Sequence, residues 1–327
     1  MAAADLLRPA LLAAARSPRM ERTVTKIPVT RNLVDRFVAG ETEDQAVAAT
    51  TDILGSGRYI SIDHLGEDTT DLAQANGTVA HYLTLLSALS RFTHDREKNT
   101  ANFPPSPVRN VEVSLKLSAL GQFLPRDGHK VALENAHKIC TAAEEAGAWV
   151  TVDAEDHTTT DSTLSIVREL REDFPSLGTV LQAYLKRTEA DCRDLSGPGS
   201  RIRLCKGAYK EPASVAYQGK AAVDDAYLRC LRILMNGQGY PMVASHDPAM
   251  VHAALHYADA KGRSADEFEI QMLYGIRDTE QLRLVEQQQH LRVYLPYGEQ
   301  WYGYFMRRLA ERPANLAFFL RSLASHN

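Results

Sequence analysis

Eight short runs of β-branched and apolar residues recur along this chain, with helix-like stretches between them. The runs are Arg58–Ile62, Val111–Leu117, Trp149–Asp153, Thr179–Tyr184, Ile202–Lys206, Met242–His246, Phe268–Leu273 and Val293–Leu295. Residues 70–92, 130–146, 160–172, 214–235, 248–260 and 278–288 read as helices. No pair of runs is joined by a hairpin turn signal. Strands separated by helices pair in parallel, and eight of them close most simply into a (β/α)8 barrel. A length of 327 residues would allow two domains, yet barrels of this kind use about 250 residues or more as one. Residues 1–55 therefore read as an N-terminal helical segment packed on the barrel, and 56–327 as the barrel itself. Leu6, Leu7, Leu11 and Leu12 supply an inward stripe, and Thr42 with Gln45 has the spacing of a capping box.

Composition removes several function classes. The formal charge of −4 leaves no basic footprint for nucleic acid. Four scattered cysteines (Cys140, Cys192, Cys205, Cys230) form no C-x-x-C pair, which argues against a zinc ribbon or disulfide framework and for a reducing compartment. No apolar run reaches the ~18 residues of a membrane span. No G-x-G-x-x-G follows a strand, and neither a Walker A loop nor a G-x-S-x-G elbow is present.

In parallel barrels chemistry gathers at the C-terminal ends of the strands. Polar residues stand at or just past most of these ends: Asp63, Glu67, Lys116, Ser118, Asp153, Asp156, Gln182, Lys206, Tyr209, Ser245, His246 and Tyr294. Two chemistries suit such a set from the residues alone. Asp153, Glu155 and His157 of the run DAEDH could hold a divalent metal. Lys116 or Lys206, if desolvated, could form a Schiff base. A third feature is the adjacent pair Arg307–Arg308 on a helix expected to stop near Pro313. Neighbours on a helix lie about 100° apart, so both guanidinium groups reach one small anion only if it lies over the helix flank. The plain alternative is a solvated basic face, with Arg307 paired to Glu311 one turn on.

The segments IDHLGE (62–67), VSLKLS (113–118), VDAED (152–156), QAYLKR (182–187), RLCKGAY (203–209), ASHD (244–247), FEIQMLYG (268–275), VYLPYG (293–298) and YFMRRLAERPAN (304–315) together resemble the proline dehydrogenase family. The likeness runs in order over nearly the whole chain. It implies a distorted (β/α)8, TIM-like barrel that binds FAD without a dinucleotide fold, its final helix lying over the barrel mouth. It further implies oxidation of L-proline to Δ1-pyrroline-5-carboxylate, with hydride passing to flavin N5 and electrons to a quinone. By the same resemblance the protein is cytoplasmic, with transient peripheral contact at the inner face of the cell membrane. A pyrroline-5-carboxylate dehydrogenase would then act downstream.

The resemblance also distributes roles. Lys116, Arg307 and Arg308 would clamp the proline carboxylate, while Tyr294 and Leu273 pack the ring. Asp153 would hold lysine and ring, and Arg203 would be the arginine beside flavin N5; these two are the catalytic candidates. Ala154, Gln182, Lys206, Gly207, Ala208, Tyr209, Ser245, His246 and Glu311 would bind the cofactor. Glu67 would pair with Arg307 and gate the site. The chain departs from the commoner family pattern at Cys205, Lys210, Ser245, Asp247 and Arg312–Pro313.

Overall fold

The computed structural model describes residues 34–94 and 106–311. The leucine stripe of residues 6–12, most of the loop 94–110, and Pro313 and Asn315 lie outside those residues. Eight parallel strands close a barrel in sequential order: β1 (Tyr59–His64), β2 (Val111–Leu115), β3 (Trp149–Val152), β4 (Gly178–Gln182), β5 (Arg201–Cys205), β6 (Tyr240–Ala244), β7 (Glu269–Leu273) and β8 (Leu291–Tyr297). The first strand closes on the last, from Tyr59 opposite Arg292 to His64 opposite Tyr297. Helices follow the strands: α1 (Glu43–Gly55) precedes β1, and then come α2 (Leu72–His94), α3 (Gly128–Glu145), α4 (Thr160–Asp173), α5 (Thr188–Asp194), α6 (Lys220–Asn236), α7 (Pro248–Lys261), α8 (Asp278–Glu286) and α9 (Trp301–Glu311). The capping box at α1 is present. Gln45 N–H donates to the Thr42 hydroxyl at 3.4 Å, and the Thr42 N–H donates to Gln45 Oε1 at 3.1 Å.

The strand period of two sorts side chains sharply. Ile60, Ile62, Val111, Val113, Leu115, Val150, Val152, Ile202, Leu204, Ile270, Val293 and Leu295 are buried on the outer face, under the helices. Each such side chain contributes roughly 1.5–3 kcal/mol when removed from water. The alternate positions turn inward and are mostly polar: Ser61, Asp63, Glu112, Ser114, Thr151, Arg201, Arg203, Glu269, Gln271 and Arg292, all buried. Space is tight there. A Cβ on Gly178 would lie 2.3 Å from Thr151 Oγ1, so only glycine lets β4 approach β3 at that level.

Several boundaries differ from the sequence expectation. Strands β2, β3, β4, β5 and β6 stop one to two residues early, because Lys116, Asp153, Tyr184, Lys206 and His246 already belong to the loops at the mouth. Helix α5 carries no apolar stripe and escaped the periodicity; a pair at i and i+4, Arg187 with Asp191 at 2.8 Å, supports it. Helix α6 begins at Lys220 rather than 214 because residues 212–217 are tied back to the loop after β4. Tyr217 N–H donates to Tyr184 O at 2.7 Å, and Leu185 bridges Ala216.

The last helix covers the barrel mouth, as expected. Tyr302, Phe305 and Met306 of α9 are buried against Leu65 and Ile276, with Leu273 and Tyr294 packed alongside. Among the described residues no helix is long and apolar enough to cross a membrane.

Candidate active site at the barrel mouth

The inward polar residues form one connected ionic ladder. At the floor, Arg292 is fully buried and grips Glu269 with two bonds of 2.7 and 2.9 Å. Glu112 takes Arg201 on one oxygen and Arg203 at 2.6 Å on the other. Burial pushes the Glu112 carboxyl up, but Arg201, Arg292 and Arg203 outweigh it and hold the group well below the usual carboxylate range. Buried ion pairs of this kind roughly break even against a hydrophobic core, so stability alone gives no reason for them. Their direction supplies one. The ladder climbs toward the mouth through Arg203, which meets Asp153 Oδ1 at 2.7 Å.

At the mouth, Asp63, Lys116, Asp153, Arg203 and Tyr294 converge from β1, β2, β3, β5 and β8. Lys116 Nζ lies 2.5 Å from Asp63 Oδ2, 3.8 Å from Asp153 and 3.5 Å from the Tyr294 hydroxyl. That hydroxyl donates to Asp153 Oδ2 at 2.7 Å. Burial drives the Lys116 amine down, but the carboxylates of Asp63 and Asp153 offset this and leave it above its ordinary value. Lys116 therefore stays an ammonium at neutral pH. Burial pushes the Asp153 carboxyl up against the opposing pull of Arg203 and Lys116. The result is a buried, hydrogen-bonded cation at the mouth, a charge suited to a small carboxylate.

Above it, Arg307 does not lie on a solvated face. Its fork reaches across the mouth to Glu67 with bonds of 2.9 and 3.1 Å, and it covers the Tyr209 ring at 5.8 Å. Burial opposes the charge, but Glu67 holds the guanidinium above its ordinary value. Arg308 lies against the Tyr304 ring at 5.1 Å, one turn back on α9. Glu311 ends that helix, its side chain being outside the described part.

The remaining candidates line the opposite rim. Gln182 donates to the carbonyl of Glu155 at 2.7 Å, which fixes its amide. Gly207 has φ +109°, and a Cβ there would stand 2.3 Å from the Tyr184 ring; only glycine allows this loop to turn under Tyr209. Lys206 is engaged by Asp224 and by Asp247, the latter at 2.8 Å. The Ser245 hydroxyl accepts from Asp247 N–H at 3.1 Å, and His246 Nε2 accepts from Leu273 N–H at 2.9 Å. Ala154 and Ala208 are half-buried on the loops after β3 and β5.

The two other chemistries read from the residues find no geometry here. Asp153 turns to Arg203, Glu155 to Ser118 at 2.5 Å, and His157 to Glu211, so the DAEDH side chains diverge. Among the described residues no group of three His, Cys, Asp or Glu could hold a metal ion. A Schiff base needs a neutral amine; Lys116 is kept charged, and Lys206 sits between two carboxylates.

The structure also adds Asp63, which had been given no role, and gives Glu155 a setting other than metal binding. Asp63, at 2.5 Å, is the nearest partner of Lys116. Glu155 is buried beside the mouth, and burial, eased by its bonds to Ser118, pushes its carboxyl up to about 7 from 4.5. Because its folded value is the higher one, Glu155 contributes stability below pH 4.5 that is lost as the pH rises through 7. Glu155→Gln is therefore expected to raise the melting temperature by a few degrees at pH 8, on the order of 1–3 kcal/mol, and to leave it nearly unchanged at pH 4. Scanning calorimetry at the two pH values checks this; an equal effect at both would contradict it.

The sequence model of the proline dehydrogenase family matches residues 47–321. Proline dehydrogenase 2 of Bacillus subtilis is 37% identical over 289 residues, covering 88% of this chain and 89% of that protein. Proline dehydrogenase of Deinococcus radiodurans is 37% identical over 321 residues, 98% of each chain. Among solved structures, proline utilization A (PutA) from Bdellovibrio bacteriovorus, inactivated by N-propargylglycine, superposes with a TM-score of 0.77 at 25% identity. That match covers 86% of this chain and 32% of the PutA chain. With a closed parallel barrel, a lysine and a paired arginine at its mouth, and relatives matched almost end to end, this chain belongs to the proline dehydrogenase family.

Proposed function

We propose that the mouth oxidises L-proline to Δ1-pyrroline-5-carboxylate, the first step of proline catabolism, with FAD as the cofactor and a quinone as the acceptor. The observation that carries this reading is the stack of Asp153, Lys116 and Tyr294 under the Arg307–Glu67 pair. It sets an ammonium and a guanidinium, each held by a carboxylate, beside the Tyr294 ring. Proline offers a carboxylate to Lys116, Arg307 and Arg308, and an apolar ring face to Tyr294 and Leu273. Asp153, already hydrogen-bonded to Tyr294, faces the ring and keeps lysine and tyrosine in place. Fixing both ends of a five-membered ring supplies the alignment that transfer from its carbon requires.

The residues present fit a flavin. Arg203 is a fixed, buried cation on the inner wall, Gln182 is an oriented amide, and Gly207 lets the backbone of 206–208 turn close under Tyr209. Ser245 and His246 stand on the neighbouring rim, where the sugar-phosphate portion of the cofactor would lie. FAD, when bound, supplies the hydride acceptor and hands the electron pair to the quinone. With L-proline, the purified protein should reduce a soluble short-chain ubiquinone analogue and leave NAD+ untouched; reduction of NAD+ instead would overturn the acceptor. A pyrroline-5-carboxylate dehydrogenase would consume the product.

Glu67 gives this reading its clearest gate. It neutralises Arg307 from across the mouth, so it holds the lid shut and orients the fork over the substrate. Glu67→Ala is expected to raise KM for proline by about tenfold, roughly 1.4 kcal/mol, with flavin content unchanged. An unaltered KM in steady-state assays would remove Glu67 from the gate.

A further inference from the structure

Arg203 has five N–H donors, and the barrel supplies five acceptors. Nε donates to Gln271 Oε1 at 2.6 Å. Nη1 donates to Ser114 Oγ at 2.9 Å and Asp153 Oδ1 at 2.7 Å. Nη2 donates to Ser61 Oγ at 2.9 Å and Glu112 Oε1 at 2.6 Å. These acceptors come from β1, β2, the end of β3 and β7, so four strands hold a side chain rooted on a fifth. The holders are themselves held: Gln271 donates to Glu269 at 2.5 Å, and Ser61 donates to Glu112 at 2.6 Å. A saturated fork cannot rotate without leaving a buried donor unsatisfied.

We infer that Gln271 and Ser114 are positioning residues for the reaction: they lock the Arg203 fork in the orientation that places its charge against Asp153 and the mouth. This rests on the flavin-dependent reading above. The lock has two consequences. Held against Asp153, the guanidinium favours the carboxylate form of a group that burial pushes toward protonation. Held at one point of the inner wall, it presents a constant positive charge to the cofactor. Loosening the fork weakens both. The other charged or titratable groups facing Asp153 are Asp63 on β1, Lys116 after β2, Tyr82 on α2, Tyr209 after β5 and Tyr294 on β8. None of these is altered by a change at 271 or 114.

The test uses flavin-loaded protein carrying Gln271→Met, which keeps the volume and removes the acceptor, and Ser114→Ala, which removes one hydroxyl and no charge. The pH profile of kcat/KM for proline and the flavin midpoint potential are measured beside wild type. The inference expects the acid limb to move upward in both variants, with kcat/KM about tenfold below wild type at pH 6 and within twofold at pH 8.5. It also expects the midpoint potential to shift to more negative values. Lower melting temperatures with an unmoved profile and potential would make both residues purely structural and overturn the inference. If Gln271→Met does not fold, Ser114→Ala decides alone. A wild-type protein whose flavin does not respond to proline would instead overturn the functional reading, and this is seen before any variant is compared.

Discussion

Lys116→Met is expected to lower kcat/KM for proline by about 100-fold or more, roughly 2.7 kcal/mol of transition-state stabilisation, while flavin stays bound. The lysine places its ammonium at the mouth, 2.5 Å from Asp63 and 3.8 Å from Asp153. Methionine fills the same volume and leaves those two carboxylates facing an incoming third. The mouth then repels the carboxylate it is proposed to hold, so the loss should appear mainly in KM. Steady-state kinetics with a measured flavin content checks the split. A normal KM would make Lys116 a counter-ion of the wall and leave the arginines alone with the substrate. Because the two aspartates hold the lysine above its ordinary value, its charge persists through neutral pH and is lost only in strongly alkaline solution.

Glu269→Leu, at the other end of the barrel, is expected to cost about 3–5 kcal/mol of stability. Glu269 is fully buried, and its oxygens receive Arg292 twice, Gln271, and Tyr240 at 3.1 Å. Its removal strands the Arg292 guanidinium without its only carboxylate partner among the described ion pairs. Against a typical total of 5–15 kcal/mol, such a loss leaves a protein close to unfolding at growth temperature. Urea denaturation reads this as a lower midpoint at constant slope. The double replacement Glu269→Leu with Arg292→Met should recover only the part owed to the stranded guanidinium, since the Gln271 amide, the Tyr240 hydroxyl and the Ile60 and Arg109 carbonyls still lose their partners. A single variant as stable as wild type would contradict the ladder.

These two ends of one barrel also show what was legible in the chain. The strands were, because outward residues such as Ile60, Val113 and Val293 are β-branched and bounded by turn signals. The mouth was, because Lys116, Asp153 and Tyr294 stand where strands end. Glu112, Arg201 and Gln271 were not given roles, although the signal existed: Glu112, Ser114 and Lys116 alternate with valine and leucine at a period of two. An eye set for apolar strands passes over that phase, since barrel interiors are usually filled with branched aliphatic side chains. Arg307 illustrates the opposite limit. From residues alone its natural partner is Glu311, four positions on. The fold pairs it with Glu67, at 2.9 Å across the mouth, and no local pattern encodes a contact 240 positions apart.

That pair and the lysine beneath it define the central claim: the mouth holds proline against a flavin. The most direct test is the visible spectrum of the purified protein under anaerobic conditions. Flavin absorption that bleaches when L-proline is added, and stays when a linear hydroxy acid is added, is the predicted result. A colourless protein containing stoichiometric metal, or flavin bleached by the hydroxy acid and not by proline, would contradict it.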